Sequence, residues 1–226
     1  MYSIETTTVH TYQRPSSGIT VVAHFFGLLA LTLLLVWLLH YRGGLDLDSD
    51  NADRVFNVHP FLMFFGFIFT AGEGMMAFKT VAAERRVRKF VHMGVNLIAI
   101  CLGIVGIHAV FKFHDMKNIA DMHSLHSWIG IATFCLFILQ WLFGLVLYMF
   151  QAASAATRAR ALPWHVCGGR ALLYMAICTA ESGLMEEFTF LQLTDQHEAR
   201  LINCVGLAIL LFGVSVDLSL VLGRYA

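Results

Sequence analysis

Six stretches of this chain are each roughly 20 residues long and nearly free of charge, enough to cross a ~30 Å hydrocarbon layer as a helix. They run from about Ile19 to His40, Val58 to Phe78, Phe90 to Phe111, Ser127 to Phe150, Trp164 to Met185 and Leu201 to Leu222. Inside lipid only the chain can satisfy its own backbone N–H and C=O groups, so runs of this kind have to be helical. The loops between them are about a dozen residues long and leave no room for a separate soluble domain. The sequence therefore predicts an all-α integral membrane protein with six transmembrane helices over 19–222, an N-terminal tail of 1–18 and a C-terminal tail of 223–226. Charged residues make up 13% and mean hydropathy is +0.70, where a soluble domain carries about a quarter charged residues.

The formal net charge of zero conceals a sidedness. With six spans, both termini share a side with the second and fourth loops. That side holds ten basic residues: Arg14, Lys79, Arg85, Arg86, Arg88, Lys89, Arg158, Arg160, Arg170 and Arg224. The opposite side holds five, namely Arg42, Arg54, Lys112, Lys117 and Arg200, together with the acidic loop of Asp46, Asp48, Asp50 and Asp53. Basic loops stay on the cytoplasmic side, so both termini are expected there. The first 18 residues lack a basic stretch followed by a short apolar core, so the first span is expected to serve as an uncleaved anchor. No nucleic-acid partner is expected.

Cys101, Cys135, Cys167, Cys178 and Cys204 all fall inside spans, without CxxC or CxxCH spacing. They are expected to be small buried hydrophobes, with neither a disulfide framework nor covalent haem attachment. Pro60 and Pro163 suit the first turns of spans two and five, where a missing N–H costs nothing. The entries "NVHPF" and "SLHSW" at spans two and four are alike, but two short matches do not make a repeat.

The 11 histidines carry the chemistry. Polar groups at membrane depth tend to face the bundle interior or a functional site. His92 and His165 open spans three and five on the cytoplasmic side, and His59 and His126 open spans two and four on the other. Two histidines on different helices, facing each other, can fill both axial positions of a haem iron. Small residues follow each histidine along its helix, including Gly66, Gly103, Gly130 and Gly183; close helix packing explains them at least as well as a cofactor does. Spacing alone does not choose His126 over His123, nor does it exclude His40 or His108. His24, His40 and His108 read best as packing or interfacial histidines, and His10 and His197 as surface residues.

The segments "LHYRGGL", "FNVHPFLM", "KFVHM", "KFH", "SLHSW" and "LPWHV" occur in this order at the span boundaries. In this the chain resembles the cytochrome b561 family, from about Ile19 to Leu222. The resemblance implies a usually dimeric six-helix electron carrier with two non-covalent haems b, His59 with His126 binding one and His92 with His165 the other. It implies electron transfer from cytoplasmic ascorbate to monodehydroascorbate or a ferric chelate on the far side. It implies an ascorbate site at Arg85, Lys89 and Arg158, and an outer site at Phe113, His114 and His123, with His114 or His123 able to assist proton transfer. Members usually carry tyrosine where this chain has His123, before the "SLHSW" signature.

Two other readings stay open at this stage. A haem-free proton-coupled transporter would use the same histidines and be colourless. A quinol-linked dihaem subunit would exchange electrons with a lipid-soluble substrate and work with partner subunits. The plasma membrane and the vacuolar, lysosomal or vesicle membranes fit the sequence equally well.

Overall fold

The computed structural model describes residues 18–193 and 196–222; the expected tails, with His10, Arg14 and Arg224, fall outside this range apart from Gly18. All regular structure among the described residues is helical. There are six long helices: α1 Gly18–Tyr41, α2 Ala52–Thr80, α3 Arg85–Lys117, α4 Leu125–Met149, α5 Ala155–Phe190 and α6 Gln196–Leu222. All but α5 are long and apolar enough to cross a membrane by length and composition alone. The exception, at 36 residues, is also the longest; Arg170 and Glu181 interrupt its apolar run.

Four of the helices, α2, α3, α5 and α6, begin five or more residues before their apolar runs do. Hydrocarbon dictates only where a helix must exist, while local hydrogen bonding dictates where it starts. Asn51 caps α2 by accepting from the Asp53 N–H at 3.0 Å. Ser124 and Ser154 cap α4 and α5 by accepting from the N–H groups of Ser127 and Thr157, each at 3.2 Å. Pro60 and Pro163 consequently lie inside their helices and not in first turns. Pro60 cannot supply the N–H that the Phe56 carbonyl would take in a regular helix. A wide π-helical segment, Leu62–Phe69, follows it directly.

Packing divides the bundle into parts. α2 and α3 form one antiparallel hairpin, α4 and α5 a second, and α6 joins α1 to the α5 side. The core lies where α1, α2, α5 and α6 converge, around Leu34, Phe64, Ile177, Ile209 and Phe212. Lipid tails are as apolar as these side chains, so close packing, more than escape from water, holds the helices together. Gly27 shows how close: a Cβ there would sit 2.5 Å from the Phe69 ring and 3.0 Å from Phe212. The five cysteines do not join this core. All are free thiols on the exposed surface of the bundle, correcting the expectation of burial.

Two charged clusters tie α6 in place. The Arg170 guanidinium donates through Nε and Nη2 to the two carboxylate oxygens of Asp217, joining α5 to α6. Buried Glu198 at the start of α6 accepts from the Trp37 indole N–H at 2.9 Å and pairs with Arg42 at 2.5 Å, joining α6 to the end of α1.

Candidate functional site

Near the starts of α2 and α4, at one end of the bundle, the rings of His59 and His126 face each other with centroids 6.1 Å apart. Near the starts of α3 and α5, at the opposite end, His92 and His165 face each other at 6.3 Å. Each pair therefore takes one histidine from each hairpin. His59 on α2 donates Nδ1–H to the Gly106 carbonyl of α3 at 3.0 Å, and His92 on α3 returns the bond to Gly74 of α2 at 2.7 Å. In the second hairpin, His126 donates to the Thr179 carbonyl at 2.9 Å. Gly106 lies 14 residues beyond His92 on α3, and Thr179 lies 14 beyond His165 on α5. At 1.5 Å per residue each interval spans about 21 Å, which separates the two pairs along the bundle.

A carbonyl only accepts, so His59, His92 and His126 carry their protons on Nδ1 and leave Nε2 with a free lone pair. That is the arrangement a metal-binding imidazole needs. Two imidazole nitrogens about 2 Å from one metal on opposite sides put their ring centres about 6 Å apart, as both pairs are. Glycine makes room for the rings. A Cβ on Gly183 would fall 2.6 Å from His126 Cε1, and one on Gly144 would fall 3.1 Å from His165 Cε1. A cavity of about 740 Å³ adjoins the first pair, lined by His59, His126, Met63, Phe67, Gly130 and Gly183 among others. These features fit a flat metal macrocycle held by paired histidines. A site of three or more metal-ligating side chains does not occur among the described residues.

His123 is exposed in the turn before α4. It donates Nδ1–H to the Ala120 carbonyl at 2.9 Å and lies 6.3 Å from the His114 ring, not opposite His59. His114 is hydrogen-bonded to Asp121 at 2.7 Å, and Phe113 packs against Phe56 at 4.8 Å. Phe113, His114 and His123 thus gather at the mouth of the cavity that His59 and His126 line.

At the other end Tyr148 bridges Lys89 and the backbone of Arg158, whose guanidinium donates to the Ala153 carbonyl. Lys89 Nζ donates to the Tyr148 carbonyl at 3.5 Å, the Tyr148 hydroxyl donates to the Arg158 carbonyl at 3.4 Å, and the Tyr148 ring lies 5.4 Å from His165. Arg85 stands exposed at the first turn of α3. Arg88 turns towards the end of α2, donating to the Phe78 carbonyl at 3.2 Å.

The remaining polar residues divide. His24 bonds Glu73 at 3.0 Å, His40 rests edge-on against Tyr41, and His108 is exposed. Asn57 donates to the Arg42 and Gly44 carbonyls and so anchors the loop after α1. Asn203 is exposed, and Glu181 keeps a buried Oε1 without a partner among the described residues. Sequence reasoning passed over Asn96, which donates to the His92 carbonyl at 2.6 Å, and Gln140, which contacts His165 at 3.1 Å. Both are amides inside apolar runs, a signal that polar residues at membrane depth carry by themselves.

A family model described as "Eukaryotic cytochrome b561" matches residues 58–191, the segment that contains all four paired histidines. The chain is 43% identical over 202 residues to the probable ascorbate-specific transmembrane electron transporter 1 of Oryza sativa subsp. japonica, covering 87% of this chain and 86% of that one. It is 41% identical over 208 residues to transmembrane ascorbate ferrireductase 2 of Arabidopsis thaliana, with 90% of each covered. To a transmembrane ascorbate-dependent reductase of Sus scrofa it is 39% identical over 201 residues, covering 85% of this chain and 78% of the relative.

Proposed function

Since the chain belongs to the eukaryotic cytochrome b561 family, we propose that it is an ascorbate-dependent oxidoreductase that moves electrons across its membrane from cytoplasmic ascorbate to an acceptor on the far side. The acceptor is monodehydroascorbate or a ferric chelate, and the working unit is a homodimer in the plasma membrane or a vacuolar, lysosomal or vesicle membrane. The observation that carries the reading is the pair of facing histidines at each end of the bundle, about 21 Å apart along it. His59 with His126 and His92 with His165 would each hold a haem b, which would supply reversible one-electron chemistry. The excess of basic residues around α3 and α5 favours the cytoplasm for the His92–His165 end.

The residues around these pairs have distinct tasks. Residues three, four and seven apart share a helix face. Lys89 and Arg85 precede His92 by three and seven, and Arg158 precedes His165 by seven. All three cations therefore lie on the histidine-bearing faces, towards the cytoplasmic surface. Ascorbate is a monoanion at neutral pH, so this cluster attracts it, and arginine can bond its oxygens in pairs. Phe113, His114 and His123 form the far site, where Asp121 orients the His114 ring and either imidazole can exchange a proton with a reacting acceptor.

Replacing Lys89 or Arg158 with alanine raises KM for ascorbate about tenfold or more, since a hydrogen bond to a charged group contributes about 1.5–3 kcal/mol. The oxidised visible spectrum stays as in the wild type, because neither residue is an iron ligand. Stopped-flow reduction over a range of ascorbate concentrations measures this, and an unchanged KM in both variants removes the cation cluster from the donor site.

The reading as a whole rests on one measurement, the visible spectrum of purified protein before and after ascorbate addition, with haem quantified per chain. Two haems per chain and a sharp reduced α-band support it. A colourless protein overturns it in favour of a transporter, and a dihaem protein that ascorbate fails to reduce moves the donor to quinol.

A further inference from the structure

One of the four facing histidines differs from the rest. His59, His92 and His126 donate Nδ1–H to backbone carbonyls of a neighbouring helix, at Gly106, Gly74 and Thr179. His165 has no such carbonyl among the described residues. Its Nδ1 instead lies 3.1 Å from the side-chain amide nitrogen of Gln140, which reaches across from α4. The same nitrogen donates to the His165 backbone carbonyl at 2.6 Å. Gly168 leaves space for the amide, since a Cβ there would be 3.3 Å from Gln140 Oε1 and 3.5 Å from Nε2. Gln140 sits in the otherwise apolar "FILQWLF", where an amide is costly unless its hydrogen bonds are met.

Building on the dihaem reading above, we propose that Gln140 is the positioning residue of His165, selecting which ring nitrogen carries its proton and setting the reduction potential of the His92–His165 site apart from that of His59–His126. A histidine that binds metal through Nε2 carries its proton on Nδ1, and the acceptor of that N–H governs how strongly the ring donates to the metal. Main-chain carbonyls held in helices provide that acceptor for the other three rings and cannot turn away. The Asn96 amide also comes within 3.5 Å of His92 Nδ1, but that ring already has the Gly74 carbonyl at 2.7 Å; at His165 the Gln140 amide stands in place of such a carbonyl and can present either end to the ring. With its N–H towards Nδ1 it favours the proton on Nε2, which closes that nitrogen to a metal. Turned by half a rotation, it offers Oε1 to Nδ1–H, the state of a ligating histidine. A carboxylate at this position can only accept, and pulls the ring proton harder. An aliphatic side chain cannot accept at all.

The ordering of these three cases is the test. Full-length holoprotein carrying Gln140→Glu or Gln140→Leu is compared with wild type by potentiometric titration, following the two low-spin haem signals separately. A stronger ring donor stabilises oxidised iron, so one potential is expected to fall in Gln140→Glu and to rise in Gln140→Leu. Each step is about tenfold in the reduction equilibrium constant, or 59 mV for a one-electron couple, within the range of outer-shell effects on metal sites. The other potential stays in place. Shifts of the same sign in both variants, or none in either, overturn the proposal, because a residue that only fills space has no reason to give opposite signs. If Gln140→Glu fails to retain its cofactor, the rise in Gln140→Leu still decides. A wild-type protein without two haem components would instead overturn the dihaem reading, and Gln140's role with it.

Discussion

With two haems held as proposed, replacing His59 with alanine is expected to remove about half of the haem, and replacing His126 the same half. His92→Ala and His165→Ala each remove the other half. The pairing follows from the geometry, since each ring faces a single partner at 6.1 or 6.3 Å across the gap between hairpins. The double variant His59→Ala/His126→Ala is expected to lose no more than either single variant, because both histidines would be needed to hold one group. A variant that takes one histidine from each pair loses both. His123→Ala keeps both, as its ring faces His114 and not His59. Haem quantified per chain, together with the low-spin signal of each variant, reads out the whole set. Loss of one component by His59→Ala and of the same component by His165→Ala would sink the pairing.

Glu198→Ala unfolds the protein at markedly lower temperature, although the residue lies in no cofactor pair. Its carboxylate is 5% exposed and meets both the Trp37 indole and the Arg42 guanidinium. Arg42 is itself half-buried, with Nε unpartnered among the described residues, so removing Glu198 takes away the carboxylate that pairs with it. Removing one member of a buried ion pair costs about 3–5 kcal/mol, which lowers Tm by roughly 6–20 °C in a chain of this size. Glu198→Gln retains an acceptor for Trp37 and loses less. Thermal unfolding of the full chain in detergent compares the three. A Tm for Glu198→Ala within a degree or two of wild type would show that the α1–α6 junction does not depend on this carboxylate.

Much of the fold was legible because hydrocarbon leaves so few alternatives. Uncharged runs of membrane length have to be helices, and α1, α2, α3, α4 and α6 each contain the run expected of them. The helix starts were less legible, because Asn51 and Ser154 fix them from outside the apolar runs, and this turned Pro60 and Pro163 into interior residues. The cysteines misled because an apolar run in a membrane protein has two apolar surroundings, neighbouring helices and lipid. Residue type does not say which one a small side chain meets.

The candidate site was legible in part. Depth and sidedness suggested the pairs, whereas choosing His126 over His123 and setting aside His40 and His108 needed the resemblance. In the structure only His126 lies within α4, directed at His59, while His123 falls in the preceding turn. Gln140 and Asn96 carried a readable signal in their polarity, but their partners are histidines on α5 and one turn back on α3, and the first of these is a contact between helices that no local pattern encodes. Arg170 and Asp217 each lie inside an apolar run, and only the packing of α5 on α6 joins them.

The facing histidines also alternate along the chain: His59 and His92 from the first hairpin await His126 and His165 from the second. A nascent chain with its first hairpin already in the membrane therefore holds two half-sites and no complete one. The His59–His126 end can close once α4 has emerged from the ribosome, and the His92–His165 end only after α5. Any metal macrocycle that bridges the hairpins can be loaded only late in synthesis, and the His59–His126 end is the first to become available.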